Sequence, residues 1–277
     1  MLFGSTIGVP QTDQTSGFQV GTRKYTWLFP EETEVVEIAV QAIYDTYHPN
    51  RDAQVHEQLN PVFTRPDYDA ECSYSPCGRY ILYAHVREGE KTGGRADADL
   101  WVYDTEKGQH HAMVTADGYD GGPFFSPDGK RICYRSDRQL NDRLQLFVAD
   151  LKFDDDGVPV GVEREYQITD NEHVNWAPYW HPSGEFIVYG TSEVGHWNYE
   201  VYAIEIDDER LRGERPAETL RKARLTHADG ADILPVFSAD GSVMMWTAQR
   251  GPMAPGEQRP SSQLWVAEFD AGALKFE

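Results

Sequence analysis

The chain has 277 residues, 40% hydrophobic and 26% charged, which suits a globular protein of one large all-β domain or two ordinary ones. Its 25 lysines and arginines face 46 aspartates and glutamates, a net charge of −21, which repels a phosphate backbone. The densest basic run is only Arg221, Lys222 and Arg224, so no nucleic-acid partner is expected. The acidity reads as solubility, Cys72, Cys77 and Cys133 are read as free thiols, and no apolar run of about 18 residues exists to span a membrane.

The opening stretch, MLFGSTIGVPQTDQTSG, lacks the charged start and apolar core of a secretory leader. MLFGSTI, VVEIAVQAI from Val35 and LNPVFT from Leu59 are strand-like. From Tyr68 onward one pattern recurs four times: YDAECSYSPCGRYILYAHVR, YDGGPFFSPDGKRICYRSDR from Tyr119, VNWAPYWHPSGEFIVYGTSE from Val174, and ADILPVFSADGSVMMWTAQR from Ala231. The turn glycines Gly78, Gly129, Gly184 and Gly241 lie 51, 55 and 57 residues apart. Such periods with strand-like content point to propeller blades.

Within each unit, Ser-Pro-Cys-Gly, Ser-Pro-Asp-Gly, His-Pro-Ser-Gly and Ser-Ala-Asp-Gly are turn chemistry. A β-branched or aromatic strand follows each turn. Third strands are read at DADLWVYD, DRLQLFVAD, NYEVYAIEI and SQLWVAEF, and fourth strands ending in threonine at HHAMVT, EYQIT and ARLT. LNPVFT plays the same part before the first unit. The acidic segments from Leu151 and Ile206 read as surface loops, the second with a short helix, and Asp154-Asp155-Asp156-Gly157 reads as a hairpin turn.

The expected fold is therefore an all-β propeller of four-stranded antiparallel blades, forming one domain over 1–277. Residues 1–67 make a partial or degenerate blade, and 68–118, 119–173, 174–230 and 231–277 make full repeats. The Y-D-x-x-x-x-F-S-P-D-G-K-x-I-x-Y pattern, carried nearly letter for letter by Tyr119–Arg138, resembles the TolB-like propeller family. The resemblance covers about Pro61 to Asp270. Measured against it, the first sixty residues look like a blade lacking its first strand, either an N-terminally incomplete ring or an unusual five-bladed one.

Aligning the units on their turns brings Asp69, Asp120, Asn175 and Asp232 to one position, where inner strands line a central channel. With Glu71 they make a candidate channel-mouth site for a cation or a cationic partner group. The plainer reading is hydrogen bonding to nearby backbone. Nine residues after each turn glycine stand Arg87, Arg138, Glu193 and Arg250. These arginines are either a rim for an anionic ligand or halves of ion pairs between blades. His173, His181 and His196 share one unit with Trp176, Trp180 and Trp197, a composition suited to carbohydrate. His110 and His111 point to opposite faces of a strand.

No Gly-x-Ser-x-Gly, P-loop or His-Glu-x-x-His motif occurs. The resemblance implies a non-catalytic binding module, extracytoplasmic or periplasmic, whose partner is a protein, an envelope component or carbohydrate. No cofactor is expected. The alternatives are a calcium or manganese ion held by Asp69, Asp120, Asp232, His173 or His181, and a lyase or hydrolase acting on acidic oligosaccharides.

Overall fold

The repeated turns set the geometry of each unit. The Oγ atoms of Ser75, Ser126 and Ser238 accept the backbone N–H groups of Tyr80, Arg131 and Val243 at 2.9–3.0 Å. In the His-Pro-Ser-Gly turn, His181 Nδ1 takes over and accepts the Ser183 N–H at 3.1 Å. The turn glycines have φ between +70° and +76°, a conformation that strains residues with a Cβ.

The computed structural model describes Leu2–Thr6, Thr33–Glu37 and residues 60–92, 95–213, 220–253, 255–256 and 259–277, without the side chains of 2–6 and 87–96. Strands β1 (Leu2–Thr6), β2 (Thr33–Glu37) and β3 (Asn60–Pro61) form an N-terminal sheet. The first blade is β4 (Tyr68–Tyr74), β5 (Tyr80–Thr92), β6 (Arg95–Asp104) and β7 (Gln109–Val114). The second is β8 (Asp120–Phe125), β9 (Arg131–Ser136), β10 (Gln145–Phe153) and β11 (Pro159–Gln167). The third is β12 (Asn175–Trp180), β13 (Phe186–Thr191), β14 (Glu200–Glu205) and β15 (Lys222–Arg224). The fourth is β16 (Asp232–Phe237), β17 (Val243–Ala248) and β18 (Gln263–Glu268). All strands pair antiparallel in chain order within each sheet, and a single helical turn, α1, covers Asp208–Leu211.

Successive inner strands β4, β8, β12 and β16 adjoin one another, and the sheets fan outward from them as propeller blades. An apolar cluster fills each gap. Leu82, Leu100, Tyr134 and Phe147 lie between the first two blades, Leu146, Trp180, Ile187 and Tyr189 between the next two, and Phe186, Val188, Met244 and Trp246 between the last two. β1 and β2 stand against β4 as β5 and β6 stand against β8. Among the described residues the N-terminal sheet thus holds the second, third and fourth places of a blade, and Val35 and Phe63 join it to Ile81 and Tyr83.

Every inner strand carries the same irregularity. The ladder slips at 70–73, 121–124, 176–179 and 233–236. Glu71, Gly122, Ala177 and Leu234, each two residues after the repeated Asp or Asn, have φ of +54°, +58°, +53° and +56°. A bulge of this kind bends the strand and turns a side chain out of the ladder. Four copies at one position make it a property of the repeat, and three of the four bear the strain of a non-glycine residue there.

Two expectations are corrected. The segment from Leu151 is not a loop: β10 runs to Phe153, turns at Asp154–Gly157 and returns as β11, because Val158, Val160 and Val162 pack against the first blade. Among the described residues the last repeat forms three strands instead of four. After β18, Asp270 caps a 3₁₀ turn at Ala271–Ala273. The tail then pairs with the third blade, where Glu277 and Lys222 exchange backbone hydrogen bonds of 3.0 and 3.1 Å. Phe269, Leu274 and Phe276 join the cluster around Phe186, and that burial draws the tail away from β18.

The bulge gives a direct test. A Cβ on Gly122 would meet the Arg135 guanidinium in a left-handed backbone, so Gly122→Ala should cost roughly 2–4 kcal/mol in urea unfolding. Ala177→Gly, at the equivalent place, should change stability by less than about 1 kcal/mol.

Candidate functional site

The repeated acids sit where the inner strands begin, and the repeated arginines follow the second strands at the same end. Register places Asp69 opposite His85, Asp120 opposite Ser136, Asn175 opposite Thr191 and Asp232 opposite Ala248. All four inner residues are fully buried. A buried carboxylate must be paired or neutral, and each blade solves this in its own way.

In the second blade Arg138 Nη2 lies 3.4 Å from Asp120 Oδ1 and also donates to Glu165 Oε1 at 3.0 Å. In the fourth, Arg250 pairs with Asp232. In the first, His85 Nδ1 stands 2.8 Å from Asp69 Oδ1, and Arg65 Nε lies 3.8 Å from Oδ2. The side chain of Arg87 falls outside the described residues. The third blade changes both members: Asn175 replaces the acid and Glu193 replaces the arginine. Asn175 Nδ2 donates to Gln145 Oε1 at 3.1 Å, while Glu193 pairs with Lys222. The two sets that the alignment separated are thus partners within a blade in the second and fourth units.

One atom of each inner residue has no hydrogen-bond partner: Asp69 Oδ2, Asp120 Oδ2, Asn175 Oδ1 and Asp232 Oδ1. Burial pushes the Asp120 carboxyl up to about 7, against the pull of Ser136 and Arg138, and burial raises Asp69 as well.

Glu71 does different work. Projected by its bulge, it crosses to the second blade and accepts the Gly122 N–H at 2.6 Å, the Tyr119 hydroxyl at 2.7 Å and Arg135 Nη2 at 2.9 Å. Arg135 is nearly buried and also faces the Trp176 ring at 5.7 Å. This brace joins three successive blades. Its only trace in the sequence is an acid in the first unit where the second has glycine.

The histidines are spread over the third blade. His173 precedes β12 and His196 lies in the loop after β13, at the end where inner strands begin. His181 is at the far end of the six-residue strand β12, about 17 Å away. There its ring stacks on Phe186 with centroids 4.4 Å apart, serving the turn described above. His196 is exposed beside Trp197, and the Arg259 guanidinium covers the Trp197 ring at 3.6 Å. In the first blade His110 Nδ1 meets the Tyr83 hydroxyl at 2.8 Å, and burial lowers its pKa to about 4. Among the described residues no three His, Cys, Asp or Glu side chains gather as a metal-ligand set. Those residues include no helix long and apolar enough to cross a membrane.

The fold is that of TolB-like β-propellers. No family model matches the chain. Among solved structures it is similar to TolB from Acinetobacter baumannii, with a TM-score of 0.58 and 15% identity, over 89% of this chain and 49% of that one. An oligogalacturonate lyase in complex with manganese matches with a TM-score of 0.52 and 14% identity, over 85% of this chain and 56% of the other. A short segment is 38% identical to dipeptidyl-peptidase 5 of Porphyromonas gingivalis, over 28% of this chain and 12% of the peptidase. The chain thus spans less than two thirds of each.

The sign of the pH dependence follows from Asp120. A folded-state pKa of about 7 against an ordinary 3.8 means that the folded protein favours the protonated form. That stabilisation is complete below pH about 4 and is lost as pH rises through about 7. Urea titrations should show wild type losing up to ~4 kcal/mol relative to Asp120→Asn between pH 4 and 8. A constant difference across that range would refute the assignment.

Proposed function

We propose that this chain is a non-catalytic binding module of the TolB-like kind, acting outside the cytoplasm on a protein or envelope partner. Contact is made through the face where the inner strands begin. One observation carries the reading: the ionisable groups that the repeat brings to that face are spent on one another. Asp120 with Arg138, Asp232 with Arg250 and Asp69 with His85 are internal pairs, so they shape the face and the loops around it meet the partner. Trp197, 48% exposed under Arg259, is the best-formed anchor there, since Trp and Arg dominate contact energies at interfaces.

A second reading has its own support. The four orphan oxygens of Asp69, Asp120, Asn175 and Asp232 recur at one position of successive inner strands, as a hard divalent cation would require. A cation there would also suit a lyase or hydrolase acting on acidic oligosaccharides; the manganese-bound neighbour is an oligogalacturonate lyase.

Three experiments separate the readings. Trp197→Ala combined with Arg259→Ala should leave the melting temperature within about 1 °C and reduce retention of the envelope partner at least tenfold. Unchanged retention would remove this face from consideration. Millimolar calcium or manganese that raises the melting temperature of wild type, but not of Asp120→Asn, would establish the cation reading. Release of unsaturated products from oligogalacturonate would establish the lyase.

A further inference from the structure

Strands β10 and β18 are nearly the same sequence, Gln-Leu-Phe-Val-Ala-Asp and Gln-Leu-Trp-Val-Ala-Glu, in the same third place of their blades. Their surroundings are opposite. Leu146 and Val148 are fully buried, whereas Leu264 and Val266 are 70% and 63% exposed. Leu264 and Val266 lie on the face that in β10 meets the next blade, and among the described residues β18 is also the edge of its sheet, so its face and its edge are both open, and such edges invite pairing.

The completed blades show what is absent. In the second, Thr169 Oγ1 accepts the Leu146 N–H at 2.8 Å, and the Ile168 N–H donates to the Leu146 carbonyl at 2.8 Å. In the third, Thr226 Oγ1 accepts the Val201 N–H at 2.8 Å, and the Leu225 N–H donates to the Val201 carbonyl at 2.8 Å. Leu264 is the matching residue of β18. At the other end of the third strand an acid recurs: Asp104, Asp150, Glu205 and Glu268. Arg79 holds Asp104, Arg131 and Tyr166 hold Asp150, and Arg221, just before β15, grips Glu205 with Nε at 3.0 Å and Nη2 at 2.7 Å. Glu268 has no ion-pair partner among the described residues, and Ser242 and Val243 stand where the first two blades supply those arginines.

We propose that β18 receives an extended segment of another polypeptide as a fourth strand, antiparallel to it, with the pattern Arg-x-x-x-aliphatic-Thr. The arginine meets Glu268, the aliphatic side chain packs beside Leu264 on its exposed face, as Ile168 does beside Leu146, and the threonine hydroxyl accepts the Leu264 N–H. Backbone pairing supplies affinity and these three contacts supply selectivity. A second copy is a poor occupant. This chain's own segments of that pattern, Arg164–Thr169 and Arg221–Thr226, already complete the second and third blades, and two chains of charge −21 repel. This surface is separate from the face proposed above, so either assignment stands or falls alone.

The test uses the full chain and a fluorescent peptide, TLRKARLTHAD, copied from residues 219–229, followed by anisotropy. The peptide should bind wild type saturably. Glu268→Lys should weaken it at least tenfold while the melting temperature holds, and a peptide with glutamate for its first arginine should recover affinity for Glu268→Lys. Binding indifferent to Glu268→Lys, or no binding by folded protein at millimolar peptide, would overturn the proposal. So would a wild-type dimer that Glu268→Lys dissolves, because the occupant would then be a second copy.

Discussion

A blade of this protein is apolar on both faces, and that constraint governs the rest of the structure. A sheet such as β12–β15 sends Ile187, Tyr189 and Ile204 to one neighbour and Phe186, Val188 and Ala203 to the other. Alternating strands cannot hide both faces except between two further sheets. Sheets stacked in this way, each twisted relative to the last, fan around an axis. The inner strands then come close together, and the polar groups on them must be settled in a space that water barely reaches. Buried acids, arginines and bulges at that end follow from the packing, not from a separate design.

The same constraint explains where the repeat tolerates change. Asp120 and Asp232 keep arginines, Asp69 turns to a histidine, and the third blade exchanges acid for amide and arginine for glutamate together. What persists is a buried polar residue held by at least one partner, since an unpaired charge there costs several kcal/mol. The bulge behind it persists as well, even where Glu71, Ala177 and Leu234 must adopt a backbone that favours glycine. At Glu71 that strain is used: the carboxylate leaves its own sheet and braces the next.

Much of this was legible in the sequence because the signals were local. The Ser-Pro-Asp-Gly turns announce hairpins, and four copies at a near-constant period announce blades. Phe63-Thr64, Ile168-Thr169 and Leu225-Thr226 mark the strands that close them. Alignment alone also gathered Asp120 with Asp232 and Arg138 with Arg250. It did not pair the two sets, because sequence distance does not show that register sets Asp120 against Ser136, two residues from Arg138. His85 and Arg65 were missed for the same reason. The αL residues were invisible because nothing about alanine or leucine signals positive φ. The three-stranded last blade is not legible because SQLWVAEF reads like an interior strand, which its composition makes it; among the described residues no blade follows it, and the path of Phe269, Leu274 and Phe276 toward the third blade leaves its edge open.

Amide hydrogen exchange compares equivalent strands within one molecule. If position in the repeat dictates surroundings, β14 should be protected along its length, because β13 and β15 hold it on both sides. In β18 protection should alternate, with amides facing β17 slow and those facing the open side near the rates of an unstructured chain. Uniform slow exchange across β18 would contradict the account, since it would mean that the last blade is closed and its likeness to β10 extends to its environment.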